Sequence, residues 1–184
     1  MRKTKPLLYI LHLLIFSILL TGCAHTPLKE MFYGSWDQSF SMYTDDLNAL
    51  LETPMHGDVG LEVSLKATQH YHNNGTYSGE GEFIFRIKSA NSDIPLRFFI
   101  KDTGKWSLHN NGSRLVETSS GGSLTPADTF TEQFLAFQPE LTAIFGSFKP
   151  IKGEKNTANI LSISSTEMEI QEEESKITLT MTRQ

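Results

Sequence analysis

Hydrophobic and polar residues alternate along several long stretches of this chain. From Leu61 to Tyr71 the odd positions are mostly apolar and the even positions are polar. A period of two puts alternate side chains on one face, so the stretch is predicted to be a strand with one buried face. Tyr77–Lys88 repeats the pattern, and Asn73-Asn74-Gly75 lies between the two stretches. This arrangement predicts a β-hairpin.

The parity of the apolar positions predicts the register of that hairpin. They are odd in both strands, so the loop must hold an odd number of residues, and three fit if Gly75 is left-handed. Opposite charges then face each other on the outer side, which supports the register. The predicted pairs are Tyr71–Tyr77, Leu65–Phe83, Val63–Phe85, Lys66–Glu82 and Glu62–Arg86.

Two further turns predict hairpins later in the chain. One is a second three-residue loop, Asn110–Gly112, and the other is a four-residue acidic turn, Glu172–Ser175. The predicted pairs are Trp106–Val116 and Lys105–Glu117 around the loop, and Ile170–Ile177 and Met168–Leu179 around the acidic turn.

The whole pattern predicts an all-β domain of about eight or nine antiparallel strands. Long strands with one apolar face favour closure into an up-and-down barrel, because closure removes exposed edges. A two-sheet sandwich remains the alternative. Besides the first hairpin and the strands of the acidic turn, the predicted strands are Tyr33–Phe40, Pro95–Asp102, Lys105–His109, Ser113–Thr118 and Asn156–Ser164.

Two segments depart from the strand pattern and predict short helices. Thr44–Glu52 has apolar residues at helical spacing. Later, Thr125 is expected to cap a helix with Pro126 at its first position, and Pro139 to begin another that ends at Gly146. The Ser120–Ser123 stretch is expected to be a flexible loop. The phenylalanine-rich segment 125–148 either packs on the barrel or forms a lid over its mouth.

The first residues of the chain have the layout of an export signal. A basic start precedes Leu7–Leu20, an apolar run too short to span a bilayer. Leu20-Thr21-Gly22-Cys23 resembles the lipobox of bacterial lipoproteins, in which the cysteine receives a diacylglycerol and, after cleavage, an N-acyl chain. The resemblance implies a signal peptide at 1–22, a lipidated tether at 23–32 and a domain at 33–184. An ordinary secretion signal is the alternative.

Lipidation of Cys23 would restrict the chemistry of the mature chain. Cys23 is the only cysteine, so no disulfide, thiolate zinc site or cysteine nucleophile is expected. Loss of residues 1–22 leaves 13 basic and 21 acidic residues, a net charge of −8, which disfavours nucleic acid as a partner. The lipid would attach the protein to a membrane of the cell envelope. In enterobacterial lipoproteins, an aspartate after the lipidated cysteine retains the protein in the inner membrane. This chain has Ala24 there, so the resemblance implies the periplasmic face of the outer membrane if the organism is Gram-negative.

A second resemblance concerns the folded domain. Gly34-Ser35-Trp36 opens the first predicted strand, and Arg183 ends the last. Lipocalins and their relatives, the calycins, begin with Gly-x-Trp and pack a basic residue of the final strand over that tryptophan. Residues 31–52 are also similar to the opening of intracellular fatty-acid-binding proteins. These resemblances imply a barrel of about eight strands, with structural roles for Gly34, Trp36 and Arg183.

No motif in the sequence predicts catalysis. His70 and His72 share a strand face, but no third metal ligand can be assigned. Neither a Gly-x-Ser-x-Gly nucleophile turn nor a phosphate-binding loop is present. We therefore expect neither an enzyme nor a bound cofactor other than the lipid.

Two functional hypotheses remain after the sequence is considered. The barrel either carries a small hydrophobic ligand, or it is filled and acts as an envelope scaffold that binds other proteins. A barrel of eight strands is wide enough for either arrangement. The residues expected to line a ligand site are Tyr71, Tyr77, Gly81, Phe83, Phe85, Phe98 and Trp106.

Overall fold

Eight antiparallel strands close into one barrel in chain order within the residues described here. The computed structural model describes residues 28–43, 60–89, 91–146 and 148–184. The strands are β1 (Gly34–Tyr43), β2 (Gly60–Tyr71), β3 (Thr76–Ser89), β4 (Ser92–His109), β5 (Arg114–Pro126), β6 (Lys155–Ile163), β7 (Glu167–Glu172) and β8 (Thr178–Arg183). The helices are α1 (Leu28–Phe32), α2 (Thr129–Phe137) and α3 (Pro139–Gly146), with a 3₁₀ turn at Asn110–Gly112.

The first and last strands meet and complete the barrel. Trp36–Gln38 of β1 pair with Met181–Arg183 of β8. Every other neighbouring pair joins strands that are consecutive in the chain, so the topology is an up-and-down meander. The predicted barrel is confirmed, and the sandwich alternative is wrong because β1 would then have no bond to β8.

The register predicted for the β2–β3 hairpin is confirmed at all five pairs. The His72 amide donates to the carbonyl of Thr76 at 2.9 Å, which closes a loop of three residues. Gly75 in that loop has a φ of +81°, the left-handed conformation that the turn requires.

The register predicted for the β4–β5 hairpin is wrong by one residue. Trp106 pairs with Glu117 instead of Val116, and Lys105 pairs with Thr118 instead of Glu117. The cause is the turn, which holds four residues because Asn110 and Asn111 both have a left-handed φ, at 51° and 56°. Glu117 consequently shares the inner face with Trp106.

Strand lengths differ from the prediction between residues 92 and 126. Pro95–Asp102 and Lys105–His109 belong to one strand of 18 residues, which continues through a bulge at Thr103/Gly104. The Ser120–Ser123 stretch, expected to be a flexible loop, lies within β5. It pairs with β4 on the far side of the same bulge.

The β7–β8 pairing is shifted by two residues from the prediction. Ile170 pairs with Leu179 and Met168 pairs with Met181. The turn is longer than four residues and includes Lys176 with a left-handed φ of 61°. A shift of two leaves every side chain on its predicted face.

The helices confirm part of the prediction. Helix α3 runs from Pro139 to Gly146 as expected, but α2 begins later than predicted. Asp128 caps α2 by accepting a bond from the Thr131 amide, whereas Thr125 and Pro126 still pair with β4. The helix predicted at Thr44–Glu52 lies outside the described residues. Among the helices of the described part, none is long and apolar enough to cross a membrane.

Buried side chains form two clusters, one at each end of the barrel. The first fills the end covered by α1, and the second lies where the long strands β2–β5 rise above the short strands β6–β8 and meet α2 and α3. The first cluster contains Phe32, Trp36, Tyr71, Tyr77, Trp106, Leu115, Ala158, Met168, Ile170 and Met181. The second contains Val63, Phe83, Phe85, Leu96, Phe98 and Phe145.

Candidate functional site

Three residues named by the resemblance meet at the end of the barrel that α1 closes. The Arg183 guanidinium carbon lies 4.6 Å from the centre of the Trp36 ring, and Trp36 is completely buried. The indole Nε1 donates to the carbonyl of Phe32 at 2.8 Å, and Arg183 donates to the carbonyl of Met31. Gly34 turns the chain between α1 and β1 with a φ of +118°, where a side chain would be strained. The two hydrogen bonds connect α1 to both the first and the last strand of the barrel.

Helix α1 shortens the tether that the sequence predicted. The lipobox resemblance places residues 28–32 in the tether, but they are helical and Phe32 is completely buried. The Phe32 ring stacks on Trp106 with centroids 5.6 Å apart and meets the edge of Tyr71 at 5.7 Å. The folded domain therefore includes α1, and the stretch between Cys23 and α1 is four residues, 24–27.

The aromatic residues predicted to line a ligand site belong mainly to the two packed clusters. Tyr77 and Trp106 fill the closed end, where Trp106 donates to the His72 carbonyl at 3.1 Å. Phe83, Phe85 and Phe98 pack under α3 in the other cluster. Of the seven predicted residues, only Tyr71 lines the interior cavity described below.

The segment 125–148 contributes to the core beside the open end. Phe145 of α3 is buried, with its ring 4.4 Å from Phe85 and 5.2 Å from Phe98. Phe148 follows α3 and contacts Phe85 at 4.9 Å. These contacts agree with the packed alternative for the segment, because they hold Phe145 and Phe148 against β3 and β4.

An interior cavity of about 460 Å³ lies between the two clusters. Its apolar wall contains Phe40, Leu65, Ile100, Leu115, Ala158 and Leu179, and its polar wall contains Gln69, Asp102, Glu117 and Ser119. The exposed lining side chains Phe148, Lys149 and Glu154 mark where the cavity reaches solvent. At this position β5 is no longer paired with β6, since the two strands pair only from Arg114 to Thr118.

Gly81 does not line this cavity, contrary to the prediction. A Cβ atom placed on Gly81 would overlap the Lys66 carbonyl oxygen and lie 2.5 Å from the Ala67 Cβ. The absent side chain therefore allows β2 and β3 to approach closely at this point. A larger residue at this position would force β2 and β3 apart.

Two carboxylates in the cavity are held by hydroxyl and amide donors. Glu117 Oε1 accepts from the Tyr71 hydroxyl at 2.9 Å and from Gln69 Nε2 at 3.1 Å. Asp102 accepts from the Tyr77 hydroxyl at 2.6 Å and from the Ser119 hydroxyl at 2.7 Å. No lysine or arginine of the described ranges forms an ion pair with either acid.

Burial changes the ionisation of these groups. Desolvation raises the pKa of Glu117, and the bonds from Tyr71 and Gln69 oppose that effect only in part. Burial, with the neighbouring Glu117 as a further cause, raises the pKa of Tyr71 well above its usual value. Tyr71 therefore keeps its hydroxyl proton and acts as a hydrogen-bond donor. Any further donor to Glu117 would stabilise the ionised form of its carboxyl group.

Two other features, a groove outside the barrel and a pair of histidines, are weaker candidates for a functional site. A larger groove of about 1,050 Å³ lies outside the barrel, where residues such as Lys101 and Glu80 are paired with each other at 3.4 Å and exposed. His70 and His72 have ring centroids 4.4 Å apart, and His70 Nδ1 is bonded to the Ser35 hydroxyl at 2.7 Å. Within the described residues no three potential ligands are grouped to hold a metal ion.

The closed eight-stranded antiparallel barrel is consistent with a calycin-like fold. No protein-family model matches the chain, and no curated protein matches it.

Proposed function

We propose that this chain is a membrane-anchored, lipocalin-like lipoprotein that carries a small, mostly apolar ligand inside its barrel. The observation that supports this most directly is the interior cavity of about 460 Å³. Ligand sites are typically concave, mostly apolar, about 300–1,000 Å³ in volume and equipped with a few polar groups. The cavity has this volume, an apolar wall and a small polar group set.

The proposed anchor is the acylated Cys23, which lies outside the described residues. Its support is the Leu-Thr-Gly-Cys sequence and the apolar run before it. Four residues separate Cys23 from α1, a span of at most about 18 Å from Cys23 to Leu28 when fully extended. The domain would therefore sit close to the membrane, with the closed end nearest to it. The location follows as the cell envelope, and as the periplasmic face of the outer membrane in a Gram-negative cell.

The carrier proposal is tested with a neutral fluorescent probe. The full chain is purified from membranes, reconstituted in lipid nanodiscs and titrated with N-phenyl-1-naphthylamine, with empty nanodiscs as the blank. One probe molecule is expected to bind per protein. Ala67→Phe is expected to weaken binding, because Ala67 lines the cavity. Ser41→Phe is the matched control, since it adds the same ring at an exposed position of β1.

The alternative remains the filled-barrel scaffold that binds other proteins. It is favoured by the dense aromatic packing at both ends of the barrel. Weak, non-stoichiometric probe binding that Ala67→Phe leaves unchanged would overturn the carrier and favour the scaffold. Native mass spectrometry of the protein from its own membrane provides a second readout, since a carrier is expected to retain a small molecule.

A further inference from the structure

We infer that the cavity selects ligands with a hydrogen-bond-donating polar head, an ammonium group above all, which Glu117 receives inside the barrel. This inference rests on the proposed carrier function and specifies the chemical class of its ligand. Such a ligand is an amphiphile, with an apolar chain against Phe40, Leu65 and Leu179 and its head at the polar wall.

The first argument is an unused acceptor. The hydrogen bonds that Gln69 and Tyr71 donate to Glu117 both end on Oε1, and Oε2 receives no donor from the described residues. Asp102 differs, because the hydroxyls of Ser119 and Tyr77 occupy its two oxygens. Glu117 Oε2 is therefore the acceptor that the cavity offers to a ligand.

The second argument is the charge balance of the wall. Glu117 and Asp102 lie inside the barrel, and Glu154 and Glu172 line the same cavity. Lys149 is the one basic residue among the described lining, and its side chain is exposed at the mouth. Glu117 and Asp102 are partly shielded from water, and a carboxylate that loses part of its hydration without a cation is destabilised unless another charge or donor compensates it. A ligand cation would supply that compensation.

The third argument concerns what the cavity would reject. A fatty-acid carboxylate placed at the polar wall would face Glu117 and Asp102, and like charges at close range repel strongly away from bulk water. The hydroxyl of Tyr71, which could otherwise serve an anionic ligand, is already donated to Glu117, and the hydroxyl of Tyr77 is donated to Asp102. Selection against anionic heads is therefore built into the same residues.

The test compares three ligands that share one alkyl chain. The nanodisc-reconstituted full chain is titrated calorimetrically with n-decylammonium, n-decanol and n-decanoate, again with empty nanodiscs as the blank. We expect the order decylammonium, decanol, decanoate from tightest to weakest. Glu117→Gln is expected to weaken decylammonium binding by about tenfold or more and to strengthen decanoate binding, because it removes the charge but keeps the side-chain shape.

The matched control is Glu169→Gln. Glu169 lies on β7 and does not line the cavity, so the substitution makes the same change in net charge elsewhere on the barrel. It is expected to leave all three affinities unchanged. A thermal melt of each variant verifies that the fold is retained.

The outcomes separate this inference from the carrier proposal. If none of the three ligands binds the unmodified protein, the carrier itself fails. If decanoate binds as tightly as decylammonium, or if Glu117→Gln and Glu169→Gln behave alike, the carrier stands and the head-group inference is overturned. An effect of Glu117→Gln on decylammonium together with an opposite effect on decanoate would support it.

Discussion

Glu117 lies directly opposite Trp106 across β5 and β4, and both side chains point into the barrel. Trp106 is buried against Phe32 and Tyr71, while Glu117 accepts the hydroxyl of that same Tyr71 at 2.9 Å. The closed aromatic end and the polar wall of the cavity therefore share a residue. Tyr71 contributes its ring to the packing and its hydroxyl to the site, so the packing holds the site in position.

The first prediction concerns the stability that Glu117 costs the folded chain. Burial raises its pKa in the folded state, so between the unfolded and folded pKa values the folded chain holds a proton that the unfolded chain has released. The free energy of unfolding should therefore fall as pH rises through this window. Glu117→Gln removes that titration. Urea unfolding from about pH 4 to about pH 8 should show the variant gaining stability relative to the unmodified protein as pH rises.

The control for this experiment is Glu169→Gln, which removes an acid that does not line the cavity. The gain in stability with rising pH should be larger for Glu117→Gln than any change measured for Glu169→Gln. A Glu117→Gln difference that is flat, or that declines with pH, would show that burial does not raise the pKa of Glu117.

The second prediction concerns the closing pair of the barrel. Trp36→Ala should lower the free energy of unfolding by about 3–5 kcal/mol, because it removes a completely buried aromatic ring. Phe99→Ala is the control, since Phe99 is 53% exposed on β4, and it should change stability by about 0.5 kcal/mol. Chemical denaturation measures both. Equal losses in the two variants would contradict a structural role for Trp36.

The third prediction concerns the close approach of β2 and β3. Gly81→Ala should destabilise the fold by about 1–3 kcal/mol, because the added Cβ overlaps the Lys66 carbonyl oxygen. Gly146→Ala is the matched control: a Cβ there meets nothing within 4 Å, and the expected change is within about 0.5 kcal/mol. Thermal unfolding of the two variants provides the comparison. A neutral Gly81→Ala would mean that the strands can separate locally without loss.

The fourth prediction concerns the proposed anchor. Cys23→Ser should abolish incorporation of labelled fatty acid and leave an uncut or misprocessed precursor, because serine has no thiol to form the thioether. Metabolic labelling and intact-mass measurement of the protein from membranes are the readouts. Recovery of the unmodified protein with a mature N-terminus at any residue other than Cys23 would refute the lipoprotein assignment.

The fold could be predicted from the sequence where apolar and polar residues alternate without interruption. In β2 and β3 the apolar residues keep one parity over more than ten positions, and a single three-residue loop reconciles them. The Trp36–Arg183 contact was also expected, from the calycin resemblance and because the first and last strands of a closed barrel must be neighbours.

The site was not readable in the same way. Leu115 and Val116 are adjacent and both apolar, so the sequence alone allows either parity for β5. The choice depends on whether Asn110 takes a left-handed conformation and lengthens the turn, which nonlocal packing decides. The inner face of a strand is located from its apolar positions, so a charged residue on that face, such as Glu117, is assigned to the outer face. The cavity is also lined by Phe148, Lys149 and Pro150, which follow α3 and whose placement cannot be predicted from hydrophobic periodicity.

The seam between β1 and β8 has a consequence for the time course of folding. Seven of the eight strand contacts join strands that are consecutive in the chain, but the seam joins Trp36–Gln38 to Met181–Arg183 through only three residue pairs. Contacts between residues far apart in sequence carry the largest loop-closure entropy and slow folding. Closure of the cylinder is thus the event with the greatest entropic delay. The Trp36 indole, whose ring centre lies 4.6 Å from the Arg183 guanidinium carbon, is an intrinsic fluorescence probe of this closure.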